Sequence, residues 1–161
     1  MMSKTPFSES GSPILTHTRK KEFELALSDG DSIEKISAHI EKHIGEITHV
    51  FHEILSDQVH IDVHHIALTL ARNYHTFVSS GMSDKAMSVP EGREEFRFAE
   101  LMLALPADWP ISDEAFKKEN NYWPIRWLKI LARLPHEYDT WLEYGHTVPN
   151  GDPAKPFTSK T

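Results

Sequence analysis

The chain contains no cysteine. That absence removes disulfides, thiol nucleophiles and cysteine-based zinc sites together. Glycine is sparse: the seven glycines are scattered, with neither a G-x-G-x-x-G fingerprint nor a Walker loop, so glycine-rich phosphate cradles are excluded. No apolar run approaches the roughly eighteen residues needed to span a bilayer, and the N-terminal segment has no apolar h-region. Positive charge is also short. Lys and Arg number 17 against 24 Asp and Glu, a net charge of −7, and the single basic run Arg19-Lys20-Lys21 is followed at once by Glu22 and Glu24. Such a chain repels a phosphate backbone, which disfavours nucleic acid as a partner. The simplest reading is a cytoplasmic protein with neither membrane nor nucleic acid as its partner.

What is present fits one domain, since 161 residues bury a respectable core. Residues 1–13 and 149–161 are rich in Ser, Thr, Pro, Gly and Lys and read as mobile ends. The expected organisation is a flexible segment over 1–30, a folded domain over 31–153 and a disordered tail over 154–161. Within the first segment, Arg19–Leu27 can form a short helix with Phe23, Ala26 and Leu27 inward.

From Asp31 the spacing of Ile33, Ile36, Ile40 and Ile44 predicts a helix capped by Asp31 or Ser32 and stopped by Gly45. Glu46–Leu55 fits either a helical face or a β-branched strand. Val59, Ile61 and Val63 then alternate with His60, Asp62 and His64, which predicts a strand with one solvated polar face. Further strands are expected at Tyr74–Ser80 and Glu95–Leu105, the latter bulged near Ala99 or buried on both sides and closed by Pro106 and Pro110. A helix within NNYWPIRWLKILARL has Pro124 in its first turn. It should bury Trp123, Trp127, Ile130, Leu131 and Leu134, turn Arg126, Lys129 and Arg133 outward, and end or bend at Pro135. A last strand is expected in Trp141–Val148. Together these make an α+β fold, an open and mainly antiparallel or mixed sheet flanked by helices.

Eleven histidines raise a metal hypothesis. His60, Asp62 and His64 recur at two-residue spacing on one strand face, with His75 available from the next strand, and a hydrolytic metal could use them. Against this, His39 and His43 lack the acid placement of a zinc-protease helix, and polar residues on an alternating strand ordinarily face water. SSGMS is no nucleophile elbow, and Glu94-Glu95 would face opposite sides of a strand. His136-Glu137 with Asp139 suits a loop-ordering network better than acid–base catalysis. No residue pattern demands an enzyme, a cofactor or a metal.

Aromatics crowd the last third instead. Tyr138, Trp141 and Tyr144 lie beside polar turn residues, where large side chains give contact area at low ordering cost. Trp127 reads as core.

Taken in order, VHIDVHHI, YHTFVSSGMSDKAMSVPEG, EFRFAELMLALPADWP and WPIRWLKILARLPHEYDTWLEYGHTVPNGDP resemble the suppressor-of-fused domain family as found in bacteria, over about residues 33–153. The resemblance implies an α+β fold, no catalytic activity and no cofactor. In animals the namesake restrains zinc-finger transcription factors; bacterial relatives resemble stand-alone binding proteins, many of them immunity proteins that neutralise toxins. The partner implied is another protein, and the acidic charge suits a basic toxin such as a nuclease. Among the matching positions, Asp84, Tyr138, Asp139, His146, Asn150 and Asp152 join Trp141 as candidate partner contacts; their alternative use is to cap and order their own loops. Relatives usually run on past the GDP turn through further strands and a last helix. The resemblance therefore implies a copy cut short, with an unpaired sheet edge.

Overall fold

The computed structural model describes residues 6–9, 11–27, 29–151, 153–154 and 156–157. Its frame is an antiparallel sheet of four strands hydrogen-bonded in sequence order: β1 (Ile47–Phe51), β2 (Asp62–Ile66), β3 (Tyr74–Ser80) and β4 (Met102–Pro106). Helix α1 (Gly30–His43) precedes the sheet, and α2 (Asp113–Phe116) and α3 (Glu119–Glu137) follow it. The α+β class, the open antiparallel sheet and its flanking helices agree with the expectation.

Helices cover both faces of the sheet. Ile36, Ile40 and Ile44 of α1 pack with Ile47, Ile66 and Val78. Ile125 and Leu128 of α3 pack with Val63, Phe77 and Leu105, joined by Phe51, Trp109, Phe116 and Tyr122. A third cluster joins Val59, Ile61, Met82, Met87 and Ala132, with Trp141 and Leu142 against it. Strand β2 is consequently buried along its whole length. The expected solvated face of β2 does not exist, because α1 covers the side that the alternation assigned to water.

Several local expectations change for identifiable reasons. Residues 19–27 are extended rather than helical: Leu25 forms an antiparallel bridge to Asp57, and Phe23 and Leu27 point outward. Glu46–Leu55 resolves in favour of a strand, β1, through its pairing with β2. The strand expected from Glu95 begins only at Met102. Its first half is a 3₁₀ turn (Glu94–Phe96), and Phe96 and Phe98 are exposed beneath Arg93 and Arg97. Asp29, not Asp31 or Ser32, caps α1 by accepting from the backbone N–H groups of Asp31 and Ser32. Residues 141–148 carry no strand; they form turns.

Helix α3 starts at Glu119, before the expected position, and continues through Pro135, which removes one i→i−4 hydrogen bond close to the helix end. Its buried side is Pro124, Ile125, Leu128, Lys129, Ala132, Pro135 and His136. The expected stripe is therefore rotated. Trp127 is half-buried, with its ring facing Arg126 and Phe157, while Lys129 turns inward.

The loop after β3 turns on Gly81. Its φ is +108°, and a Cβ there would lie 1.8 Å from the carbonyl oxygen of His60, inside van der Waals contact with backbone. Gly92 also has positive φ (+82°) but has no atom within 4 Å of such a Cβ. Gly81→Ala should lose at least about 2 kcal/mol of stability in urea denaturation, from strain plus the clash. Gly92→Ala should lose about 1 kcal/mol, from conformation alone. Equal losses would show that the close approach to His60 does not constrain the loop.

Candidate functional site

Three carboxylates organise the polar interior. Asp62 is 1% exposed, so its charge requires partners, and it has them. His52 Nδ1 lies 2.9 Å and His60 Nε2 3.0 Å from its two oxygens, and the Glu53 backbone N–H donates at 3.0 Å. Glu53 accepts from Ser56 Oγ at 2.7 Å and from the backbone of Ile61, and it pairs with Arg133 of α3. Glu100 accepts from Ser79 Oγ (2.6 Å), Gly81 N (3.0 Å), Ser83 N (2.9 Å) and Ser83 Oγ (2.6 Å), which fixes the loop following β3. Burial lowers the pKa of Lys129; Glu53 and Asp62 oppose that shift, and Lys129 Nζ donates to the Phe51 carbonyl at 3.4 Å.

The histidines expected as ligands are occupied within this interior. His60 serves Asp62, while His64 Nε2 lies 2.9 Å from Ser80 Oγ. His75 meets His65 at 3.1 Å. Among the described residues, no group of three or more His, Cys, Asp or Glu side chains is arranged to hold a metal. Ser80 and His64 have the spacing of a nucleophile and its base, but both are buried and His64 Nδ1 has no hydrogen-bond partner. Among the described residues no third group orients that base, and burial holds its pKa below the ordinary imidazole value. The pair is a packed hydrogen bond, with no access for substrate.

The candidate contact residues fall around the end of α3. Asp139 has φ +49° and lies just beyond the helix, and the Thr140 N–H reaches back to the Pro135 carbonyl at 3.0 Å, the bond of a Schellman cap. Its carboxylate accepts Lys21 at 2.7 Å, and Lys21 also donates to the His136 carbonyl. Tyr138 and Trp141 are half-buried; the Trp141 ring meets His146 edge-on at 5.0 Å between centroids. Tyr144 is fully exposed and Asn150 half-buried. The Ser88 N–H donates to Thr140 O, and Arg93 pairs with Glu143 at 2.9 Å, so the loop carrying residues 85–93 lies against this turn. Asp84 stands apart, beside Gly81: burial raises its pKa, Ser32 hydrogen-bonds it, and its Oδ1 has no partner. Asp152 lies outside the described residues.

The structure brings Trp141 and His146 into ring contact and places Tyr138 and Asp139 at the end of α3. Sequence reading missed the residues that hold them in place. Arg133 is expected to turn outward on its helix, and Glu53 and Glu100 carry no motif; a visible signal was the density of polar residues in segments apolar enough to be core.

Across the sheet, Thr48, His65 and His75 form a hydrogen-bonded row ending on the Ala107 carbonyl, beside an open recess of about 370 Å³. A carbonyl only accepts, so His75 donates from Nε2 to the Ala107 carbonyl. Burial first, then the neighbouring His75 and His49, lowers the His65 pKa to about 4. Its folded value lies below its unfolded one, so this contribution is complete above about pH 6.5 and is lost as pH falls toward 4. Stability in urea should drop by about 3 kcal/mol over that window from this group, and His65→Phe should flatten that part of the profile. An unchanged slope in His65→Phe would place the acid sensitivity elsewhere.

Among the described residues, no helix is long and apolar enough to cross a membrane. A family model described as suppressor of fused protein (SUFU) matches residues 57–161, more than half of the chain. Domains of that family are non-catalytic modules that bind other proteins. No curated protein and no solved structure matches the chain.

Proposed function

The chain belongs to the suppressor of fused family, and on that premise we propose that it binds another polypeptide through the surface at the end of α3. Tyr138, Asp139, Trp141, His146 and Asn150 are its candidate contacts, together with Asp152; Asp84 stands apart, on the loop at Gly81. The observation that carries this reading is the turn after α3. It presents Tyr144 fully to solvent beside the Trp141–His146 pair, while Lys21, the Thr140 cap and Arg93 hold its backbone. Aromatic groups on a pre-ordered turn lose little freedom on binding.

In this reading the chain is a cytoplasmic, bacterial immunity protein that neutralises a toxin and performs no catalysis. The net charge of −7 supports a basic toxin, such as a nuclease, through charge complementarity and a fast, salt-sensitive encounter.

Capture from the native lysate should return one stoichiometric protein partner. Trp141→Ala and His146→Ala should weaken that complex about tenfold or more in calorimetry, as central aromatic contacts do. Their thermal midpoints should fall less than that of Gly81→Ala. Undiminished affinity in both variants would remove this surface from the interface, and a tightly bound acidic partner at physiological salt would end the basic-toxin reading.

A further inference from the structure

The extended segment ahead of α1 has two edges, and only one is used. Toward the body, Ala26 N donates to Ser56 O (3.1 Å), Gln58 N donates to Glu24 O (2.9 Å) and Glu24 N donates to Asp57 Oδ1 (2.9 Å). Backbone groups alternate sides along an extended chain, so the N–H and C=O groups of Phe23, Leu25 and Leu27 point the other way. For Phe23 and Leu25 these groups take no hydrogen bond among the described residues. The side chains of these residues are 59%, 58% and 81% exposed. An open strand edge bearing three large apolar side chains is a template for another strand.

The occupant follows from the segment's own sequence. Laid antiparallel on itself about Leu25, KKEFELALSD sets Leu25 against Leu25 and Phe23 against Leu27. In the same register Lys20 approaches the acidic start of α1, Asp29 and Asp31, of the other copy; Arg19 and Lys21 are already paired within the chain, with Asp57 and Asp139. Lys20 has no ion-pair partner among the described residues. Apolar groups meet apolar groups, and opposite charges meet at both ends, as an isologous two-fold contact requires. We propose that the free edge of residues 23–27 pairs with the same edge of a second copy, making a symmetric dimer centred on Leu25. This contact lies outside residues 57–161.

The chain's lack of cysteine allows a direct test. Across the two-fold axis the Leu25 residues form a hydrogen-bonded pair, about 5.5 Å between Cα atoms and within disulfide reach. Leu25→Cys should form a disulfide-linked dimer under mild oxidation at least about tenfold faster than Leu70→Cys, although Leu70, on the loop between β2 and β3, is the more exposed of the two (109% against 58%). Leu25→Pro removes an N–H that no internal bond uses. Light scattering should give twice the chain mass for the unaltered protein and the single-chain mass for Leu25→Pro, with unchanged circular dichroism. A monomer at all concentrations, a dimer indifferent to Leu25→Pro, or equal cross-linking of the two cysteine variants would each overturn the proposal.

Discussion

A carboxylate taken out of water must be compensated where it stands, and Glu53 illustrates what that demand does to the chain. Its two oxygens bind Ser56 and the Ile61 backbone on one side and Arg133 of α3 on the other. The segment between β1 and β2 therefore has one path, and α3 has one position over the sheet. Asp62 adds the same requirement one strand away, met by His52, His60 and the Glu53 N–H, with Lys129 supplying positive charge from α3. Removing one member of such a set leaves a buried charge without its counterpart, which costs far more than an exposed pair contributes.

The surface at the end of α3 inherits its order from this arrangement. Arg133 holds α3 at its C-terminal half, His136 donates to the Met82 carbonyl at 2.9 Å, and the Thr140 cap fixes the exit of the chain. Glu100 holds Gly81 and Ser83, which places the loop that then supports Thr140 through Ser88. Buried polar bonds thus position the aromatic and charged side chains of this turn. A frame of this kind suits recognition, in which shape is set before the partner arrives, and it accords with the non-catalytic, protein-binding character of the suppressor of fused family.

The parts of the fold legible in the sequence are those where a local pattern and the tertiary environment agree. Ile36, Ile40 and Ile44 form the buried face of α1, Gly45 follows its end with φ +150°, and Tyr74–Ser80 is a strand within its expected bounds. The errors arise where a distant element overrides the pattern. His64 and Asp62 alternate like solvent-facing residues, yet α1 and the segment of residues 52–60 cover them. Lys129 reads as an outward charge, yet Glu53 and Asp62 draw it inward and rotate the buried side of α3 away from Trp127. Phe23 and Leu27 suggest the inner face of a helix, but Glu24 and Ala26 find backbone partners at Gln58 and Ser56 first. Of the candidate contacts, Asp139 sits at the helix cap and pairs with Lys21, His146 is exposed, and Tyr138 and Trp141 are half-buried.

The dependence of the frame on paired buried charge is tested most directly by a double-mutant cycle on Glu53 and Arg133, read as unfolding free energy in urea. Glu53→Gln keeps acceptors for Ser56 and Ile61 while removing the charge, and Arg133→Met keeps the stem. The account predicts that each single change costs about 2–4 kcal/mol and that the double change costs less than their sum by about 1–3 kcal/mol. Single losses that add to within about 0.5 kcal/mol would show that the two charges do not act as a pair, and the account of how α3 and its exposed turn are held would fail.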